Sequence, residues 1–322
     1  MDIVPAIKRS FKQFDVLPSE LRMMIVDEMS HYDRFIFSHC SKYSTALARE
    51  SKKYIYGLEA IYLDRSSFVI RFIVAVRGNR QLGYLLRICE ENGIKYKICR
   101  NFGEEELWRE QLDNSTDLFD YGKECFIQAL NYREKSIKRL LLAGTRLTNI
   151  VSEIRFLKNL EELVIDGDLD IPQFFTKLRR PLEKLEIRRA NIITPLIGLE
   201  QIFDVKHSLH LFDLALSNEQ FRRLTARIVH IPIGNLTSGN IVDFINSWKS
   251  LTIDGTEGNY QLEHSDDPSF HIHISNVFLE LGYNFLLSDG YTVNIPHDHD
   301  ANKAASLTYS GNILKFRWST TE

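Results

Sequence analysis

The apolar positions change their period several times along the chain, and each change marks a different kind of element. Residues 1–13 read as a mixed polar lead-in. From Phe14 to about Glu50 the spacing is helical: Leu17, Leu21, Met24 and Ile25 recur at three- and four-residue intervals. Pro18 stands where a first helical position suits its fixed φ. A second helix is expected from about Asp33, a good N-cap residue, and a third through Ser41 to Ser51. Residues 14–52 thus read as one three-helix module, too small to bury much surface alone. Residues 53–135 form a linking α/β region. Tyr54 to Val76 is rich in Tyr, Ile, Val and Phe, is broken at Asp64-Arg65-Ser66-Ser67, and predicts one or two strands. Gln81 to Asn92 reads as a helix stopped by Gly93. Ile94 to Cys99 reads as a strand, Asn101 to Thr116 as a charged loop with a helical turn, and Leu118 to Asn131 as an amphipathic helix.

Residues 136–260 carry a weak repeat. Ile137 to Leu142, Leu160 to Ile165 and Leu182 to Ile187 share the pattern L/I-x-x-L-x-L/I, with central leucines Leu140, Leu163 and Leu185 spaced 23 and then 22 residues apart. Leu209 to Leu214, Ile228 to Ile231 and Leu251 to Ile253 continue the series less regularly, and Phe174 to Leu178 and Asn218 to Thr225 look helical. The period lies within the leucine-rich-repeat range of about 20–29 residues. Each unit has an apolar face that only its neighbours cover. Residues 261–322 differ again. Phe270 to Ile274 alternates as a strand should. Asn284 to Leu287, Tyr291 to Ile295, Ala304 to Tyr309 and Ile313 to Trp318 suggest a small β cap on the end of the array.

Composition narrows the function. The 322 residues have a net charge of −3 and no long single-sign run, which points away from nucleic acid and from membrane surfaces. The longest apolar stretch, Phe68 to Val76, is interrupted by Arg71 and falls well short of the roughly 20 residues of a membrane span. Met1 to Phe11 lack an apolar signal core, so secretion is not expected. Cys40, Cys89, Cys99 and Cys125 form no CxxC pair and suit a reducing compartment. Cys125 sits on a helix face with Phe126 and Ala129, which favours packing over nucleophilic chemistry. His271 and His273, and His297 and His299, are HxH pairs that a shared strand face brings toward one zinc ion. The second pair lies in a polar turn and no Cys or Glu completes a familiar set, so no metal and no cofactor is expected.

A resemblance sharpens this picture. Phe14-Asp15-Val16-Leu17-Pro18-Ser19-Glu20-Leu21-Arg22-Met23-Met24-Ile25 resembles the opening of an F-box, and Asp33 to Tyr43, with Cys40-Ser41-Lys42, resembles its second half in nematode-type F-box proteins. Arg34 and His39 depart from the apolar side chains usual there. Gly239 to Trp248, Ser288-Asp289-Gly290, Ala304-Ala305-Ser306, Ser310-Gly311-Asn312 and Phe316-Arg317-Trp318 are similar, in order, to the associated C-terminal region of that group. The fold expected is α+β, grading to α/β: a small three-helix F-box module followed by an irregular leucine-rich-repeat-like body with a C-terminal β cap.

The resemblance implies a non-catalytic receptor of a Skp–cullin–F-box ubiquitin ligase in the cytoplasm or nucleus. The F-box binds a Skp-type adaptor and, through it, a cullin scaffold, while the body holds an unidentified target protein for proteasomal degradation. Adaptor contacts map onto Leu17, Pro18, Leu21, Met24, Ile25, Phe37 and Cys40. The target face maps onto the outward strand residues Lys138, Arg139, Glu161, Glu162, Glu183, Lys184, Glu186 and Arg188, whose mixed charge suits a complementary partner. The alternative is a binding protein that sequesters or neutralises its partner, an antidote being one form, with the adaptor serving only to stabilise it.

Overall fold

The computed structural model describes residues 14, 16–29, 37, 41, 43–44, 46–47, 55–64, 67–77, 80–102, 106–133, 137–144, 146, 148–167, 171–188, 204–212, 214, 216–234, 236–250, 257–263, 270–284 and 290–320. Among them the chain is mostly β, with fourteen strands and seven helices of 4–16 residues. This corrects the expected architecture of a three-helix module, a leucine-rich-repeat-like body and a separate cap. The chain divides into two compact units, Met1–Leu58 with Ser66–Ile137, and Glu59–Arg65 with Lys138–Glu322.

The first unit contains helix α1 (Ser19–Glu28). After β1 (Gly57–Asp64), most of which belongs to the second unit, come β2 (Ser67–Arg77), β3 (Arg80–Glu91), β4 (Ile94–Asn101) and β5 (Glu106–Gln111), then helix α2 (Leu118–Arg133). Strands β2 to β5 form an antiparallel meander. The helix expected over Gln81–Asn92 is therefore a strand. Tyr84, Leu86 and Ile88 are buried at a period of two, joined at the strand's end by Cys89. Asn92 and Gly93, both at positive φ, close a two-residue hairpin between Glu91 and Ile94. Asn-Gly is the preferred pair for that turn because its twist matches that of the strands. The charged loop expected after Asn101 likewise contains β5. Phe68, Ile70 and Phe72 of β2 are fully buried. Phe68 meets Phe119 of α2 edge to face at 5.9 Å, and a Cβ on Gly122 of α2 would stand 2.4 Å from the Phe68 ring. Glycine lets helix and strand approach this closely.

The second unit adds β6 (Arg139–Gly144), α3 (Thr148–Val151), β7 (Glu162–Gly167), α4 (Ile171–Phe175), β8 (Lys184–Arg188), β9 (Ser208–Leu211), α5 (Asn218–Arg222), β10 (Ile228–Pro232), α6 (Ser238–Ser250), β11 (Glu257–Glu263), α7 (Phe270–Glu280), β12 (Tyr291–Pro296), β13 (Lys303–Ser310) and β14 (Ile313–Thr320). Its strands run in the order β12-β13-β14-β11-β10-β9-β8-β7-β6-β1. Strands β6 to β11 pair in parallel and in register, with Leu140 beside Leu163, Leu163 beside Leu185 and Leu185 beside Leu209. Those leucines, with Leu142, Ile165, Ile187, Leu211, Val229 and Ile231, make one buried face. The intervening helices add Ile150, Phe174, Phe175, Phe221, Ile245 and Trp248 to it. Helix α5 opens with a capping box, in which the Ser217 hydroxyl accepts from the Gln220 N–H and the Gln220 side chain accepts from the Ser217 N–H.

The residues expected to form a detached cap instead extend this sheet. Strand β11 pairs in parallel with β10 on one edge and antiparallel with β14 on the other. Its second row of backbone donors and acceptors needs a partner, and the β14-β13-β12 meander supplies one. The segment from Phe270, expected as a strand, is helix α7. Its buried Ile274, Val277 and Phe278 lie at helical spacing, a pattern that extends beyond the short alternation at its start. The strands expected at Leu251–Ile253 and Asn284–Leu287 fall wholly or mostly outside the described residues.

Candidate functional site

Helix α1 is apolar on two sides. Val26, Phe37 and Leu47 form a small buried cluster, with Phe14, Met23 and Met29 packed against it. Phe14 and Phe37 meet edge to face at 5.3 Å. That cluster uses one side of the helix. On the other, Leu21 is 45% exposed, Met24 62% and Ile25 40%, and the preceding Val16 is 81% exposed. Leu17 is half-buried and Pro18 exposed. Near the helix start the Glu20 carboxyl is held below its usual range by its own backbone N–H and the Ser19 hydroxyl, a favourable charge at that end. Phe37, expected on the docking surface, is instead 4% exposed, because its ring fills the space beneath α1. Cys40 lies outside the described residues. The Ser41 hydroxyl accepts from the Ser44 N–H at 3.0 Å and so caps the helical residues that follow.

The eight charged residues read as a target face sit on or just before β6, β7 and β8, where they pair largely with one another. Lys138 meets Glu161 at 3.0 Å, Lys184 meets Glu162 at 3.0 Å, and Arg139 lies 3.5 Å from buried Glu59 and 4.0 Å from Glu162. Arg188 pairs with Glu186, and Glu183 with Lys206 at 3.7 Å. In-register parallel pairing causes this, since it places each repeat's charge beside the next repeat's opposite charge. Exposed pairs of this kind contribute little, about 0.2–1 kcal/mol each. They also leave the face electrostatically satisfied.

A second group, which sequence reasoning missed, occupies the same outward face further along. His210 of β9 and His230 of β10 stand side by side, ring centroids 5.9 Å apart. The Phe212 ring lies 5.4 Å from His230 and 6.4 Å from His210, and the Arg188 guanidinium is 5.8 Å from its centroid. His230 Nε2 is 2.8 Å from a Glu263 carboxylate oxygen, and His210 Nε2 is 3.1 Å from the Ser208 hydroxyl. The available signal was parity: Leu209 and Leu211 point inward, so His210 and Phe212 point outward.

Burial holds the His210 imidazole below its ordinary pKa of 6.5. Glu186 opposes the shift, while His230 and Arg188 reinforce it. A histidine lowered in the folded state binds its proton more readily once unfolded, so the neutral ring stabilises the fold above pH 6.5 and that contribution is lost as pH falls through and below it. Denaturant titrations on either side of that pH are expected to show a smaller stability difference for His210→Gln than for the wild type. An unchanged difference refutes the assignment.

His271 and His273 lie on α7, and two residues along a helix are about 200° apart around its axis, so a strand's common face is not available to them. His297 is buried edge-on to Trp248 at 5.2 Å, and its Nδ1 accepts from the His299 N–H at 3.2 Å. Among the described residues no three His, Cys, Asp or Glu side chains are grouped to hold a metal ion. Burial raises the thiol pKa of Cys89 and Cys125 and lifts that of Cys99 to about 12, the opposite of an activated nucleophile. No helix among the described residues is long and apolar enough to cross a membrane. The chain matches no family model, and no curated protein and no solved structure matches it either.

Proposed function

We propose that this chain is the target-holding subunit of a Skp–cullin ubiquitin ligase, working in the cytoplasm or nucleus and docking its adaptor through the outward side of α1. The observation that carries this reading is the second apolar side of that helix. Leu21, Met24 and Ile25 are displayed together although the helix already fills its own small cluster from the opposite side. An apolar stripe left in water by so small an assembly favours a protein cover. The resemblance of Leu17-Pro18-Ser19-Glu20-Leu21 to an F-box opening names the kind of cover. The chain then performs no bond chemistry. It raises the effective concentration of a target near a ubiquitin donor.

The direct test is to mix the purified full-length chain with a recombinant Skp-type adaptor and follow the mixture by size exclusion and calorimetry. A stable complex of one copy of each is expected. Separate elution with no heat of binding overturns the proposal.

A further inference from the structure

The geometry points to the outward face of β8 to β14 as the seat of an acidic, extended protein segment anchored by an apolar side chain on Phe212. This deepens the receptor reading by naming the target's chemistry, and rests on that reading for the fate of whatever is bound.

Register makes the face continuous. Glu186, His210, His230, Gln261, Lys315 and Thr308 are successive partners across β8, β9, β10, β11, β14 and β13. They form one row running across the strands. Beside that row Phe212 is 39% exposed, its ring set among His210, His230 and Arg188. An aromatic side chain held by planar neighbours loses little freedom when a second apolar group covers it, which is the character of an interface anchor.

The charges decide what accompanies the anchor. On the Phe212 side they are already occupied: Arg139 and Lys184 pair with Glu162 and Arg188 with Glu186, and the Glu263 carboxylate is hydrogen-bonded to the His230 ring. On β14 they are not. Lys315 and Arg317 lie on the outward face, since Leu314, Phe316 and Trp318 are buried. Among the described residues no carboxylate lies within 4.0 Å of either cation. Lys315 stands two strands from His230, roughly 10 Å away, which an extended chain covers in about three residues. A segment lying across the strands therefore sets its apolar residue on Phe212 and its carboxylates against Lys315 and Arg317. A nucleic-acid strand fits less well. Its bases stack on aromatic rings, but its phosphates recur at every step and would pass over Glu186 and Glu263.

The test uses the full-length chain and fluorescence anisotropy with three labelled probes: a peptide with one tryptophan followed, three residues on, by a run of glutamates; the same peptide with lysines for glutamates; and oligouridylate. The acidic peptide is expected to bind at least about tenfold more tightly than the other two. Phe212→Ala is expected to weaken it about tenfold, and Lys315→Glu with Arg317→Glu to reverse the preference toward the lysine peptide. All of these side chains are on the surface, and unchanged thermal unfolding of the variants separates lost binding from lost folding. Equal binding of the acidic and basic peptides, tighter binding of oligouridylate, or full affinity in folded Phe212→Ala overturns the inference. Each variant is also assayed for adaptor binding. Lost peptide binding with the adaptor retained localises a failure to this face, whereas lost adaptor binding with the peptide retained counts against the adaptor reading alone.

Discussion

Leu21→Glu combined with Met24→Glu is expected to abolish binding of a Skp-type adaptor while leaving the chain folded and as stable as the wild type. The two side chains are 45% and 62% exposed, so a carboxylate at either position stays in water in the free protein. In the complex both would be covered. Fully burying an apolar side chain is worth about 1.5–3 kcal/mol, and each of these is already about half covered in the free protein, so losing both removes roughly 1.5–3 kcal/mol. Covering an unpaired carboxylate costs at least about 1–3 kcal/mol more, and together the two terms correspond to a loss of at least about 50-fold in affinity. Val26→Glu is the contrasting variant, because Val26 has no exposed surface and supports the cluster with Phe37 and Leu47. It is expected to lower stability and to lose adaptor binding only as a consequence. Calorimetric titration of the adaptor beside thermal unfolding of each variant checks both expectations. A double variant that binds at wild-type strength removes α1 from the interface.

The contrast between those positions shows what the sequence allowed. The helix period placed Leu17, Leu21, Met24 and Ile25 on one stripe, and Leu21, Met24 and Ile25 do share the open side of α1. Phe37 was assigned to the same surface by analogy with a motif, and its burial follows from contacts that no local pattern encodes. In the second unit, the repeated leucines marked β6, β7 and β8 correctly, because a half-buried strand alternates whatever it pairs with. Their pairing partners were not legible. The mutual neutralisation of Lys184 and Glu162, or of Lys138 and Glu161, depends on register between strands 22 and 23 residues apart. The failure at β3 has a different cause. Gln81 to Asn92 contains good helix formers, and an isolated segment of that composition favours a helix. Long-range pairing with β2 and β4 overrides the preference, and the Asn92-Gly93 hairpin pair was the local sign that it would.

The parallel strands of the second unit also rest on a repeat of glycines with the same 23-residue spacing as the first two leucines. Gly144 and Gly167 are register partners at the ends of β6 and β7, with φ of 119° and 139°. A Cβ on Gly167 would stand 2.1 Å from the Gly144 carbonyl oxygen, and one on Gly144 would stand 2.2 Å from the carbonyl oxygen of Tyr62 in β1. Both the backbone conformation and the space exclude a side chain, and the obstacle in each case is a neighbouring strand's backbone, which has no rotamer to adopt. Gly167→Ala is therefore expected to cost about 3 kcal/mol or more, at the upper end of single-substitution effects. The expected fall in Tm is roughly 6–12 °C for a unit of this size. Gly311→Ala separates the two causes: its φ is 56°, but nothing lies within 4 Å of the position its Cβ would take. That variant carries only the left-handed penalty, about 1 kcal/mol. Differential scanning calorimetry of both variants decides the matter. If Gly167→Ala unfolds within a degree or two of Gly311→Ala, the strand ends yield more easily than their close approach implies, and the sheet is not held together at its glycines.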